Sequence, residues 1–362
     1  MQNSTPSSKH PTGVLLVNLG TPASPSTRDI RRFLREFLSD PRVLTMAPAF
    51  RWALLNLIIL PFRPKRIAPA YEQIWLEEGS PLLVHSRALR EGVSQRLGDA
   101  FCVDLAMRYQ QPDIHSALLR MQQAGVQKLV VLPLFPQYSE SATGSAIARV
   151  EEEATRIGDP FELIIRYDFN DDPGFIRSQA ETIRPILSND TWDHVLFSYH
   201  GLPESQIRAV QGCLSTSDCC DVNYKPGNRC YRAQCFGTSR ALAESLDLKP
   251  DSYSSSFQSR LTREPWIKPY TDFVLPDLYK EGVRRLLVAC PAFTADNLET
   301  VEEINIRLRD QWAELGGAAF ALAPCVNDSQ TFIDAISQWA VAMAQTTAPD
   351  SGPPISAPSQ LQ

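Results

Sequence analysis

The sequence predicts an α/β protein made of two Rossmann-like domains, each built on a parallel sheet and related to the other by internal duplication. Short apolar runs alternate with stretches of helical periodicity, which favours strand–helix–strand units with right-handed crossovers. Two patterns recur in the same order: V-L-x4-G-x-P starts at Val14 and at Val195, and G-V-x-[KR]-L-x-V starts at Gly125 and at Gly282. The length of 362 residues accommodates two domains of ordinary size.

The predicted strands are short apolar runs separated by helix-forming stretches. The continuous run 14–17 is typical of a parallel strand that is buried on both faces. Further strands are predicted at 101–107, 128–134, 162–167, 194–199, 252–257, 285–290 and 319–323. The first helix is expected after Ser26, a good N-cap, because apolar residues recur at helical intervals from Ile30 to Leu38. Parallel sheets bind ligands beyond the carboxyl ends of their strands, so the residues after these strands are the site candidates.

Changes in composition divide the chain into segments. Residues 1–12 are polar and residues 346–362 are rich in proline with almost no charge, so both are expected to be disordered. We predict an N-terminal domain at 13–175 with an apolar lip at 48–66, and a C-terminal domain at 176–345 with a cysteine-rich insert at 212–236.

Composition excludes several classes of protein. Lysine and arginine number 35 against 41 acidic residues, and the net charge of −6 gives no sign of nucleic-acid binding. No run reaches the roughly 18 apolar residues that a membrane-spanning helix needs. The N terminus lacks a basic region followed by an apolar run, so no secretory signal is expected. A cytoplasmic location is therefore predicted, where structural disulfides are rare.

His200 is the first candidate for chemistry. It follows the apolar run 195–199 and precedes Gly201, and its counterpart in the first half is Leu19. Imidazole accepts protons near neutral pH and binds divalent metals well. The other interpretation is a hydrogen-bonded histidine at a strand end, and the spacing alone leaves both open.

A pair of carboxylates forms the second candidate. Glu299 and Glu303 follow the strand at 285–290 and lie one helical turn apart, so they share a face. Carboxylates near a helix N terminus also stabilise the helix dipole, and composition alone favours that interpretation. If they face inward, they could instead pass protons or hold a cation.

Two further strand ends carry polar groups that could receive an anion. The loop 135–145 includes Tyr138 and Ser139, and its hydroxyl and backbone N–H groups could bind a carboxylate or simply cap the next helix. Arg108 and Tyr109 end the second strand and could add a cationic and stacking contact. An ordinary surface arginine is the competing interpretation.

The lip at 48–66 is apolar on all sides and then turns basic at Arg63, Lys65 and Arg66. It is too short to span a bilayer. A buried helix is one interpretation. The other is an exposed flap that covers a flat apolar ligand and contacts membrane lipid, with the basic cluster meeting anionic headgroups.

Five of the eight cysteines fall within the insert, which indicates a metal or iron–sulfur site in a reducing compartment. Adjacent cysteines rarely both bind one small cluster, so the expected ligands are Cys213, Cys220, Cys230 and Cys235, with Cys219 as the alternative to Cys220. Four thiolates also suit structural zinc, and the spacing does not separate the two.

Together these motifs resemble the ferrochelatases, the terminal enzymes of haem synthesis, over residues 13–340. The matching segments, in chain order, are Leu19-Gly20-Thr21-Pro22, Gly79-Ser80-Pro81-Leu82, Met107-Arg108-Tyr109, Pro133-Leu134-Phe135-Pro136-Gln137-Tyr138-Ser139, Ser198-Tyr199-His200-Gly201-Leu202-Pro203, Phe257-Gln258-Ser259-Arg260 with Pro265-Trp266, and Asp296-Asn297-Leu298-Glu299-Thr300. The resemblance implies two domains around a porphyrin cleft, where Fe²⁺ enters protoporphyrin IX and two protons leave.

The resemblance also implies roles for particular residues. His200 matches the family's essential histidine, a proton acceptor or metal ligand, and Glu299 its partner carboxylate. Glu303 continues an acidic path for the metal or protons. Arg108, Tyr138, Ser139 and Trp266 match positions that line the porphyrin pocket, with Tyr109 beside them.

Three departures from the family pattern carry predictions. Leu19 stands where relatives that use coproporphyrin have tyrosine, which favours protoporphyrin as substrate. Asn297 replaces a histidine of some members, so this position cannot be a basic proton carrier. The animal enzymes complete a [2Fe–2S] cluster with C-terminal cysteines, whereas this chain has none after Cys325. Its insert follows the His200 motif, as in certain bacterial members, so [2Fe–2S] is expected over zinc. Nothing in the sequence indicates an oligomeric state.

Overall fold

The computed structural model describes residues 10–211, 219–222, 229–260 and 264–346. Within these residues, eight strands form two four-stranded sheets. The strands are β1 Thr12–Gly20, β2 Phe101–Tyr109, β3 Lys128–Pro133, β4 Glu162–Ile165, β5 His194–His200, β6 Tyr253–Gln258, β7 Arg285–Ala289 and β8 Ala319–Leu322. Most of the predicted arm and tail, and Cys213, lie outside the described residues.

Helices connect the strands on both sides of the sheets. The α-helices are α1 Thr27–Ser39, α2 Pro48–Ala53, α3 Leu60–Ile74, α4 Pro81–Leu97, α5 Ile114–Gln123, α6 Ser145–Arg156, α7 Pro173–Asn189, α8 Glu204–Gln211, α9 Cys219–Val222, α10 Tyr231–Ser245, α11 Thr271–Lys280, α12 Arg309–Glu314 and α13 Gln330–Gln345. Three π-helical segments are π1 Leu54–Ile59, π2 Glu140–Gly144 and π3 Glu299–Leu308, and short 3₁₀ turns lie at Gly98–Ala100 and Pro250–Ser252.

The two sheets repeat one design. Both are parallel, with strand orders β2-β1-β3-β4 and β6-β5-β7-β8. The register repeats as well, because Val14 pairs with Val130 in the first sheet and Val195 pairs with Leu287 in the second. These are equivalent positions of the two recurring sequence patterns. The predicted fold class and each predicted strand are confirmed, and the duplication appears in both order and register.

Side-chain chemistry explains the start of the first helix. The Ser26 hydroxyl accepts a hydrogen bond from the Asp29 N–H at 3.2 Å, which satisfies one of the unpaired donors of the first turn. Ile30 and Leu38 lie on the buried face, as the spacing predicts.

One apolar core joins the two halves. The last helix, α13, returns to the first half, where Phe332 and Trp339 pack against Phe169 on the loop before α7. The predicted domain boundary between residues 175 and 176 falls inside α7, which belongs to this shared core. The domain limits stay a prediction.

The lip forms one helical run through α2, π1 and α3. Leu55 and Leu60 anchor it, each only 3 % exposed. Its outer side presents Phe50, Trp52, Leu57, Ile58 and Phe62, which are 59 % to 74 % exposed. The lip therefore has features of both the buried helix and the exposed flap, because its inner face is buried and its outer face is apolar and exposed. Among the described residues, no helix is long and apolar enough to cross a membrane.

Candidate active site

A cleft of about 1180 Å³ opens at the carboxyl ends of the strands of both sheets. Its walls include residues that follow β1, β3, β5, β6 and β7, together with the inner face of the lip. The position agrees with the rule for parallel sheets. His200, which ends β5, and Glu299 and Glu303, which both lie on π3, line this cleft.

His200 ends β5 and is held in one orientation. Its Nδ1 lies 2.6 Å from the Gly201 carbonyl oxygen. A carbonyl can only accept, so Nδ1 carries the proton and Nε2 of the neutral ring keeps its lone pair. Only glycine fits at position 201, because a Cβ there would lie 2.8 Å from the Gln258 carbonyl oxygen. The ring thus offers one free nitrogen as a base or metal ligand.

Glu299 begins π3, after β7, the strand beside β5, and also lines the cleft. The Asn297 side-chain oxygen accepts from the N–H groups of Glu299 and Thr300, at 2.9 and 3.1 Å, and so caps the helix. Burial raises the pKa of the Glu299 carboxyl above its ordinary 4.5, while the positive charge that the nearby His200 ring carries when it is protonated opposes this shift. The result is a carboxyl that holds a proton more tightly than an exposed glutamate does.

Glu303 lies one turn further along π3 and is fixed by Ser259. Its two carboxylate oxygens accept from the Ser259 backbone N–H, at 3.0 Å, and from the Ser259 hydroxyl. Ser259 adopts a φ of 68°, a conformation that non-glycine residues rarely take. Arg307 Nη2 lies 2.9 Å from the Glu302 carboxylate and 3.9 Å from that of Glu303. π-Helical segments often occur at functional sites, and this one aligns two carboxylates along the cleft.

The structure divides the expected substrate-binding residues into two groups. Leu19, Ser139 and Trp266 line the cleft. Ser139 also caps π2, because its hydroxyl accepts from the Ala142 N–H at 3.2 Å.

Arg108, Tyr109 and Tyr138 are not among the cleft-lining residues. Arg108 Nη2 and the Tyr109 hydroxyl both donate to the Asp40 carboxylate, at 2.7 and 2.9 Å. The Tyr138 hydroxyl donates to Glu140 at 2.8 Å. A buried carboxylate such as Asp40 needs these donors. The polar atoms of Arg108, Tyr109 and Tyr138 are therefore hydrogen-bonded to other side chains of the protein. The expected direct contact of these three residues with a ligand is not supported by their positions.

Sequence reasoning missed the cations that line the cleft. Arg63, Arg66 and Arg260 all contribute to its walls. Burial lowers the pKa of the Arg63 guanidinium, its neighbours include Glu299 and Tyr71, and its Nε is buried with no hydrogen-bond partner in the described part of the chain. The sequence alone presents Arg63, Lys65 and Arg66 only as a basic cluster that could meet anionic headgroups, and Arg260 only as part of a matching segment. Helical spacing gives the missing signal, because residues 63, 67 and 71 share one face of α3.

The described cysteines of the insert are buried together in the core. Cys219, Cys220, Cys230 and Cys235 are each at most 3 % exposed. Burial raises the pKa of the Cys220 thiol to about 12, and Arg232 Nη1 donates to its sulfur at 2.9 Å.

These thiols have the chemistry of a thiolate site but do not complete one by themselves. Cys213, the first predicted ligand, lies outside the described residues. In the residues that the structure does describe, no three His, Cys, Asp or Glu side chains are grouped closely enough to hold a metal ion.

Comparison with known proteins extends over almost the whole chain. The profile of the family described as Ferrochelatase matches residues 11–344. A Ferrochelatase of Coxiella burnetii is 47 % identical over 333 residues, which cover 91 % of this chain and 92 % of the relative. A Ferrochelatase of Legionella pneumophila is 45 % identical, with 90 % and 97 % covered, and one of Bdellovibrio bacteriovorus is 42 % identical, with 89 % and 96 % covered.

Solved structures give the same fold. SirB from Bacillus subtilis with Fe³⁺ has a TM-score of 0.54 at 12 % identity, over 92 % of this chain and 96 % of SirB. At that identity, the likeness concerns the fold alone.

Proposed function

Because the chain belongs to the ferrochelatase family, we propose that it inserts Fe²⁺ into protoporphyrin IX to form protohaem, the last step of haem synthesis. The observation that carries this proposal is that His200 and Glu299 line the same cleft and interact electrostatically. One offers a free imidazole nitrogen and the other a partly desolvated carboxyl. Metal insertion needs such groups, because two pyrrole protons must leave as the metal enters.

The two side chains can divide the proton transfers. Nε2 of His200 accepts a pyrrole proton without changing tautomer, because Nδ1–H stays bonded to Gly201. The Glu299 carboxyl, whose pKa is raised by burial, is a stronger base than an exposed glutamate. Glu303 lies one turn further along π3 and also lines the cleft, so its carboxylate can take up a proton from Glu299.

Iron is a substrate in this reaction, and the same groups suit its approach. Imidazole nitrogen and carboxylate oxygen are both accepted ligands of Fe²⁺. The proposed path runs from Glu303 to Glu299 and His200. Ser259 holds Glu303 in place through two hydrogen bonds, so the path has a fixed outer position.

The cleft also matches the shape and charge of a porphyrin dicarboxylate. Leu19, Phe33 and Trp266 supply apolar walls for the flat macrocycle. Arg63 and Arg260 can pair with the propionates. We propose protoporphyrin over coproporphyrin because Leu19 offers no polar atom to a further carboxylate. A rate comparison of the two porphyrins tests this choice, and a preference for coproporphyrin would contradict it.

The lip supports a further proposal, that the protein binds peripherally to the inner face of the cytoplasmic membrane. Its exposed Leu57, Ile58 and Phe62 can enter the apolar boundary of a lipid leaflet. Lys65 and Arg66, both exposed, follow and suit anionic headgroups, although Arg66 also contributes to the cleft wall. A membrane position would shorten the path of an apolar porphyrin to the cleft.

For the insert we propose a [2Fe–2S] cluster held by Cys213, Cys220, Cys230 and Cys235, with Cys219 as the alternative to Cys220. The buried thiols and the Arg232 donor to Cys220 support a thiolate site. When bound, such a cluster supplies a covalent cross-link of the insert and a one-electron redox centre. No step of the proposed insertion reaction depends on it.

An anaerobic absorption experiment tests the proposed activity. Purified protein is mixed with protoporphyrin IX and Fe²⁺, and the spectrum is followed over minutes. We expect the free-base porphyrin bands to give way to haem bands at a rate proportional to protein concentration. Porphyrin bands that shift on binding but never become metallated would contradict the proposal and indicate a porphyrin carrier.

A further inference from the structure

The peptide unit that follows His200 is held from both sides. The Gly201 N–H donates to the Gln258 carbonyl of β6 at 2.8 Å. The N–H and C=O of a trans peptide point in opposite directions, so the His200 carbonyl points away from β6. β7 cannot satisfy it, because the pairing of β5 with β7 ends at Phe197. A side chain must therefore supply the donor at this strand end.

Tyr231 supplies that donor. Its hydroxyl donates to the His200 carbonyl oxygen at 2.8 Å, and the residue is only 6 % exposed at the start of α10. The same peptide leads to the Gly201 carbonyl, which holds Nδ1 of the His200 ring. Tyr231 thus fixes the backbone on which the imidazole is oriented.

The position of Tyr231 connects this peptide to the cysteine-rich insert. Tyr231 directly follows Cys230 at the start of α10, and Cys235 lies one turn further along the same helix. The helix that bears these cysteines therefore also carries the hydrogen-bond donor to the His200 carbonyl.

We propose that Tyr231 is a positioning residue for His200, through which the cysteine-bearing helix α10 holds the imidazole in its reactive orientation. This proposal rests on the proposed function of His200. Tyr231 also lines the cleft, but its hydroxyl is bonded to the His200 carbonyl, so we infer that this hydroxyl acts through the His200–Gly201 peptide. Loss of its hydroxyl leaves the His200 carbonyl without a hydrogen-bond donor, so the His200–Gly201 peptide is held only through the Gly201 N–H.

Tyr231→Phe tests the proposal, because it deletes only the hydroxyl. A small displacement of a reacting group lowers the rate of the chemical step while ground-state binding persists. We expect kcat for iron insertion to fall about ten- to hundredfold, with the KM for protoporphyrin within about twofold of the wild-type value. Iron content per chain is measured in parallel, and it is expected to be unchanged.

Tyr199→Phe is the matched control. It also removes a buried tyrosine hydroxyl, bonded to Ser239 at 2.8 Å, from the residue that precedes His200. We expect a similar loss of thermal stability in both variants and a wild-type kcat in the control. Equal kcat values in the two variants would overturn the proposal.

A second measurement does not depend on turnover. The ring C2 proton of His200, one of five histidines, is assigned by NMR with the His200→Ala variant. Its chemical shift is expected to change in Tyr231→Phe but not in Tyr199→Phe, and an unmoved resonance in Tyr231→Phe would overturn the proposal. If the wild-type protein never forms haem, the proposed function fails, and this resonance still decides whether Tyr231 orients His200.

Discussion

At the scale of single residues, two strand ends supply complementary groups. His200 keeps one nitrogen free because the other is bonded to the Gly201 carbonyl. Glu299 holds its proton more tightly than usual because the protein excludes water around it. Neither property belongs to the amino acid itself. Each arises from a neighbouring carbonyl, helix or apolar wall.

His200→Ala removes the proposed proton acceptor and metal ligand. General base catalysis contributes about 10²- to 10⁴-fold, so we expect iron insertion to fall by at least that factor. Protoporphyrin affinity, measured by fluorescence quenching, should change little because the walls of the cleft remain. His85→Ala is the control, since His85 pairs with Asp328 at 3.3 Å and does not line the cleft. Near-normal turnover in His200→Ala would contradict the mechanism.

Glu299→Gln is expected to raise stability while it lowers activity. The pKa of Glu299 is raised in the folded state, so its contribution is most favourable below the ordinary pKa of 4.5 and is lost as pH rises through the folded value. The neutral amide of the glutamine in Glu299→Gln does not titrate, so the variant does not lose this stability as the pH rises. The difference in melting temperature, variant minus wild type, should therefore grow as the pH rises above 4.5. A difference that shrinks with rising pH would contradict the raised pKa.

At the scale of elements, two of the three π-helical segments border the cleft. π2 follows β3 and contributes Ser141 and Ala142, and π3 carries Glu299 and Glu303, which both lie on the cleft wall. π1 forms the middle of the lip. The lip and the insert are the two elements that carry separate predictions.

Replacement of Leu57, Ile58 and Phe62 by serine should weaken membrane binding without unfolding the lip. These side chains are 63 %, 59 % and 71 % exposed, so they add little to the core. Burial of an aliphatic or aromatic side chain is worth about 1.5–3 kcal/mol, so vesicle affinity should fall at least about tenfold. Sedimentation with anionic vesicles measures it. Phe273→Ser is the control, since Phe273 is 61 % exposed away from the lip. Equal binding by both variants would contradict the lip contact.

The insert predicts a coloured protein. Purified protein should be brown, with visible charge-transfer bands that bleach on reduction. Cys230→Ser should remove these bands, because it removes a proposed ligand. Cys102→Ser should retain them, because Cys102 lies in β2 of the other sheet. Colourless protein with one zinc per chain would contradict the [2Fe–2S] assignment.

At the scale of the whole molecule, the cleft depends on both halves. The first half supplies Leu19, Ser139 and Arg63, and the second supplies His200 and Glu299. The shared core, closed by α13, connects the two walls. A ligand in the cleft therefore stabilises both halves together.

Porphyrin binding should raise the melting temperature of the whole chain in one transition. At a hundredfold excess over Kd, a ligand adds about 2.7 kcal/mol, which corresponds to at least about 2 °C for a chain of this size. Calorimetry with and without protoporphyrin IX measures the shift. Two transitions, of which only one responds to porphyrin, would contradict a binding site shared by both halves.

The sequence by itself determined the fold class, the eight strands and the duplication, and it singled out His200, Glu299 and Glu303, which all line the cleft. These follow from local periodicity and from the fact that parallel strands present their carboxyl ends at one edge. Only the tertiary structure decided which neighbours reach the cleft. It turned Arg108, Tyr109 and Tyr138 toward Asp40 and Glu140, and it brought Arg63 to Glu299. Contacts between residues far apart in the chain depend on side-chain direction and packing, which periodicity does not encode.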